Sequence, residues 1–145
     1  MVSGGRMQVY FSCSITGGRA EQQVYQMIVQ HMEQMGFSVP TAHLAQAVVL
    51  DEESILEAPA VYRRDVDWVI QSDLMVAEVS TPSHGVGYEL AVAEFHEKPI
   101  FCCYQRDKKV SKMILGNNYP FLQIYAYREN KDLLPALDAF LSDFL

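Results

Sequence analysis

Two carboxylates stand where a carboxylate is costly. Asp65 has Val61, Tyr62, Trp68 and Val69 three and four residues to either side, and Glu89 has Gly85, Val86, Val92 and Ala93 at the same offsets. At helical spacing each acid falls on an apolar stripe, where an ionised group is unfavourable unless something uses it. The ordinary alternative is that each caps or hydrogen-bonds a nearby loop. The chemical alternative needs two carboxyls in different surroundings. A helix starting near Val86 places Glu89 in its first turn, where the dipole and free amides favour the ionised form. Asp65, mid-helix beside Tyr62 and Trp68, is expected to be desolvated and protonated. One charged and one neutral carboxyl make the nucleophile and acid that retaining glycoside cleavage employs.

Two loops have the composition of an anion cradle. CSITGGR offers the hydroxyls of Ser14 and Thr16, the amides of Gly17 and Gly18 and the charge of Arg19, with Ile15 between them. TPSHGVG offers Ser83 and the amides from Gly85 to Gly87 at a helix start. Neither is a Walker A or GxGxxG sequence, and Ser83 is equally suited to a plain helix cap. Tyr10 lies two residues before the end of its strand and reads as an aromatic core residue on composition alone. His43 and His84 either touch a base or sit in loops. Most other acids have surface explanations: Asp67 follows Arg63 and Arg64 by one turn, and Glu94 precedes Lys98 by four. No His, Cys or Asp cluster has metal spacing, so neither a metal nor another cofactor is expected.

The elements that must position these groups alternate between strand and helix. Gln8–Ser12 is a β-prone run, and Glu21–Met35 repeats apolar residues at helical spacing until Gly36. Phe37–Val39 is expected as a short second strand before Pro40, and residues 41–58 as loop with a short helix. Helices follow at Ala60–Gln71 and Val86–Glu97, strands at Leu74–Val79, Ile100–Tyr104 and Phe121–Tyr125. A last helix carries Leu133, Leu137, Leu141 and Phe144 on one face, with Pro135 expected in its first turn. Continuously apolar strands between helices predict an α/β fold: a five-stranded, mainly parallel sheet covered on both faces. Ligands of such sheets bind beyond the carboxyl ends of the strands, which directs attention to the residues after 12, 79 and 104.

Composition narrows the classes further. The chain has 145 residues, half of them hydrophobic, and a net charge of −7. A single domain over 1–145 is expected. The acidic balance argues against a nucleic-acid polymer as partner, though local amides can still hold one phosphate. Three cysteines, two of them adjacent, read as reduced thiols of an intracellular protein, cytoplasmic or nuclear. No signal peptide or membrane span is apparent.

In order and spacing, YFSCSITGGR, the carboxylate in YRRDVDW, VAEVSTPSHGVGYELAVA and VSKMILG resemble the 2'-deoxynucleoside 5'-phosphate N-hydrolases, relatives of the nucleoside 2-deoxyribosyltransferases. The resemblance spans residues 8 to 144 and implies a Rossmann-like three-layer fold. It implies that Glu89 attacks the anomeric carbon to form a glycosyl-enzyme, that Asp65 protonates the leaving base, and that Tyr10 orients the nucleophile. Ser14, Ser83 and Gly85 fall on positions that hold the 5'-phosphate, and His43 on one near the base. Ser111 and Met113 match residues that the family lends across a homodimer interface. The implied substrate is a 2'-deoxynucleoside 5'-monophosphate, and the products are a free nucleobase and 2-deoxyribose 5-phosphate.

The chain departs from the family's usual GSIRGGR loop, with Cys13 for the first glycine and Thr16 for the arginine; Arg19 remains nearby. The transferase branch typically carries Asp where this chain has Ser83 and Asn where it has Ser111. A carboxylate there repels a phosphate and a serine does not, so the two serines favour a monophosphate. Two other functions stay open: base exchange by a nucleoside 2-deoxyribosyltransferase, and a non-catalytic nucleotide-binding module. The PGGxGTxxE sequence of lysine-decarboxylase-like phosphoribohydrolases is absent.

Overall fold

A computed structural model describes residues 5–15, 22–45 and 55–145. Four strands, β1 (Val9–Ser12), β2 (Leu74–Glu78), β3 (Ile100–Gln105) and β4 (Leu122–Tyr127), pair in parallel in the order β1-β2-β3-β4. The helices are α1 (Gln22–Gln34), α2 (Ala58–Gln71), α3 (His84–Phe95), the short α4 (Lys112–Leu115) and α5 (Asn130–Ser142). Val9, Phe11, Val76, Phe101 and Cys103 pack with residues of α1 and α5. Tyr10, Met75, Ala77, Ile100 and Cys102 pack on the other face with residues of α2 and α3. The strands inside the sheet are covered on both faces, which is why β1 and β2 are apolar but for Ser12 and Glu78 at their ends, whereas β4 lies at the edge and exposes Gln123.

The expected fifth strand at Phe37–Val39 is instead a single parallel bridge between Gln8 and Ser38. Val9 donates to the Ser38 carbonyl at 2.8 Å and Ser38 to the Met7 carbonyl at 2.9 Å. Pro40 then brings no N–H to continue the ladder. Thr41, fully buried, takes over: its hydroxyl accepts from Phe11 N–H at 3.0 Å and donates to the Phe11 carbonyl at 2.7 Å. One side chain thus satisfies both backbone groups on the outer edge of β1. Gly36, at φ +98°, reverses the chain after α1, and Phe37 N–H returns to the Met32 carbonyl at 3.1 Å.

From β1 the chain first crosses to the Ser38 side and then returns to β2 on the opposite side. The direction of winding therefore switches at β1, the place in such sheets where ligands bind beyond the carboxyl ends of the strands. Pro135 is the sixth residue of α5 rather than a first-turn residue, because Glu129 and Asp132 form a capping box that starts the helix at Asn130. The missing proline N–H costs α5 one internal bond, which packing of Leu133, Leu137 and Leu141 offsets.

Candidate active site

Tyr10 and Ser12 alternate with Val9 and Phe11, so both side chains leave β1 on the α2–α3 side. The Tyr10 hydroxyl donates to Oε2 of Glu89 at 2.7 Å, and the Ser12 hydroxyl donates to Oε1 at 2.7 Å. Both oxygens of one carboxylate are therefore held by one strand. Asp65 approaches from α2 and is close enough for its negative charge to act on both Tyr10 and Glu89.

The structure brings Glu89, Tyr10 and Asp65 together, and it revises the electrostatics expected of them. Helix α3 starts at His84, capped by Ser83, so Glu89 lies in the second turn, beyond the free amides. The Glu89 carboxyl is pushed up to about 7: burial, the largest influence, and the charge of Asp65 raise it, while the Ser12 and Tyr10 hydrogen bonds and Arg64 lower it. Tyr10 is pushed far above the usual phenol range, first by burial and then by the charges of Glu89 and Asp65. It acts only as a donor. Asp65 does not stand in an apolar slot: Arg64 Nε donates to its Oδ1 at 2.8 Å.

The sequence spacing pairs Arg64 with Asp67 on a solvated face. It turns inward instead, its guanidinium 4.9 Å from the centre of the Trp68 ring while it pairs with Asp65. The Trp68 ring lies 6.1 Å from that of His43, which sits on the short 3₁₀ turn Ala42–Ala45. His43, Trp68, Arg64 and Asp65 form a continuous polar-aromatic border. Arg64, Ser12 and Thr41 carried no legible signal, since arginine, serine and threonine are ordinary at helix surfaces and strand ends.

Ser14 follows β1 and is fully buried, with its hydroxyl unpartnered among the described residues. Ile15 beside it is partly buried, and Thr16, Gly17 and Arg19 lie outside the described residues. Ser83 Oγ accepts from Val86 N–H at 3.3 Å as the cap of α3, and Gly85 is exposed in the first turn. Ser111 caps α4 in the same way, accepting from Met113 N–H at 3.1 Å. Ser83, His84, Ser111 and Met113 share a groove of about 960 Å³ between α3 and the 109–117 segment. That groove lies on the neighbouring face of α3 and is not lined by Glu89, Asp65 or Tyr10. Glu94 closes its end by accepting from Asn117 Nδ2 at 2.9 Å, in place of the expected Lys98 pair, because the helix stops at Phe95.

The sequence profile of the nucleoside 2-deoxyribosyltransferase family matches residues 9–132. A Danio rerio protein named 5-hydroxymethyl-dUMP N-hydrolase is 39% identical over 129 residues, covering 86% of this chain and 90% of its own. A Methanococcoides burtonii protein, provisionally named 2'-deoxynucleoside 5'-phosphate N-hydrolase 1, is 39% identical over 118 residues, covering 81% and 97%. The fold is similar to that of a Clostridium botulinum CMP N-glycosidase, with a TM-score of 0.71 at 18% identity over 92% of this chain and 99% of the other. It is also similar to a 2-deoxyribosyltransferase of Bacillus psychrosaccharolyticus, with a TM-score of 0.61 at 15% identity over 90% and 95%. The chain belongs to the nucleoside 2-deoxyribosyltransferase family and groups within it with the 2'-deoxynucleoside 5'-phosphate N-hydrolases.

Proposed function

We propose that the protein is an N-glycosidase that hydrolyses 2'-deoxynucleoside 5'-monophosphates to a free nucleobase and 2-deoxyribose 5-phosphate. The observation that carries this reading is the Glu89 carboxylate, gripped at both oxygens by Tyr10 and Ser12 with Asp65 alongside. Glu89 attacks the anomeric carbon, the bond to the base breaks, and Asp65 gives its proton to the departing nitrogen. Water then displaces the sugar from Glu89, with Asp65 taking up the proton. The reacting state has the proton on Asp65 and the charge on Glu89. Burial raises the proton affinity of Glu89 in the free protein, and the reaction asks the two carboxyls to work as a pair with one shared proton.

The buried hydroxyl of Ser14, unpartnered among the described residues, supports a phosphate beyond β1. Ser83 accepts from Val86 N–H and so keeps its own hydrogen to donate. Met113, 85% exposed, stands off the surface as a residue lent to a neighbour would; a homodimer completing each site with Ser111 and Met113 is part of the proposal. His43, Trp68 and Arg64 would border the base.

Product chromatography after separate incubation with dGMP, GMP and deoxyguanosine, then a pyrimidine set, tests the reading. Base release from the deoxynucleotides, abolished in Glu89→Ala, is the expected result. Release that requires a second base as acceptor would make the protein a transferase. Binding without release would leave a nucleotide-binding module.

A further inference from the structure

We propose that Ser12 is a positioning residue for Glu89, its hydroxyl pinning Oε1 as Tyr10 pins Oε2 and so fixing the plane of the attacking carboxylate. The proposal rests on the reading of Glu89 as nucleophile. A glutamate's terminal torsion is broad, so a carboxylate with one donor can swing its second oxygen. Two donors from one strand remove that freedom. Ser12 and Tyr10 are two residues apart, about 7 Å along β1. The short serine side chain at the strand end and the long phenol one step behind compensate for that distance, and both meet Glu89 at 2.7 Å.

Ser12 is fully buried and lies in register with Ala77 of β2, so its position is set by the sheet interior rather than by a loop. The groups facing Glu89 are Tyr10 and Ser12 from β1 and Asp65 and Arg64 from α2. Among them, the two hydroxyls and Arg64 favour the charged carboxylate, whereas Asp65 opposes it. Ser12 is therefore one of three groups that offset the cost of an ionised nucleophile away from water.

Titration of the Glu89 carboxyl carbon by NMR in the free protein, assigned by comparison with Glu89→Gln, gives a readout that needs no turnover. In Ser12→Ala the midpoint should rise by about one to two pH units, with loss of one charge-assisted hydrogen bond. Ser12→Thr and Ser12→Cys keep a donor, and at least one of them should titrate below Ser12→Ala. With a deoxynucleotide, Ser12→Ala should lose roughly tenfold or more in kcat with little change in KM. A Ser12→Ala midpoint at the wild-type value would overturn the proposal, as would both donor variants titrating like Ser12→Ala. If wild type released no base, or Glu89→Gln remained active, the nucleophile reading would fail while the titration still reported whether Ser12 acts on Glu89.

Discussion

At the scale of single residues, the site is a buried charge supported by hydroxyls. Glu89 carries its proton up to about 7, against an ordinary glutamate value of 4.5. Its folded-state affinity for the proton is raised, so the associated stability is full below 4.5 and is lost as pH rises through 7. Glu89→Gln removes the cost of the charge. It should therefore melt higher than wild type at pH 8, by roughly 1–2 kcal/mol of stability, and the gap should shrink toward pH 5. Thermal melts at both pH values check this; an equal gap at both would mean that the carboxyl is not strained.

The same pair sets the pH dependence of the reaction. A natural base needs the shared proton, so kcat/KM should fall as pH rises through about 7, where the pair loses it. A substrate whose leaving group departs without protonation needs only the ionised Glu89, and its rate should rise through the same range. Parallel pH profiles for the two substrates would remove Asp65 from the role of acid.

At the scale of elements, caps and edges hold the loops that meet the ligand. Ser83 caps α3, and its loss to alanine costs on the order of 1 kcal/mol, whereas glycine retains most of the cap. Ser83→Gly should therefore stay near wild type in melting while its KM for a monophosphate rises several-fold; an unchanged KM would confine Ser83 to capping. Thr41 has no such second role. Its hydroxyl satisfies both backbone groups of Phe11 on the edge of β1. Thr41→Val leaves these buried groups unpaired and should destabilise the fold by about 1–3 kcal/mol, measured by denaturant unfolding.

At the scale of the whole molecule, the carboxylate site and the Ser83–Ser111 groove occupy neighbouring faces of α3. A protomer pairing that brings a neighbour's Ser111 and Met113 to the carboxylate site would make activity depend on assembly. Sedimentation should find a dimer at micromolar concentration. Mixed dimers of Glu89→Gln with Ser111→Ala, each weak alone, should regain activity at the site that combines the two intact halves. No regain on mixing would place Ser111 in its own chain's site.

The sequence by itself determined the alternation of strands and helices, because apolar periodicity and strand burial are properties of local residue order. It also brought out Asp65 and Glu89, since a carboxylate on an apolar helical stripe is visible without coordinates. Phe37–Val39 could not be resolved as a bridge rather than a strand, because Thr41 competes for the same edge only once β1 is in place. The charge states were likewise beyond the chain's linear reading. Proximity to a helix start favoured an ionised Glu89, but burial outweighs it, and Arg64 reaches Asp65 although its spacing matched Asp67. Ser12 became part of the site only when β1 and α3 packed together. A proton's position depends on the distances between groups 24 to 79 residues apart, and tertiary packing alone sets those distances.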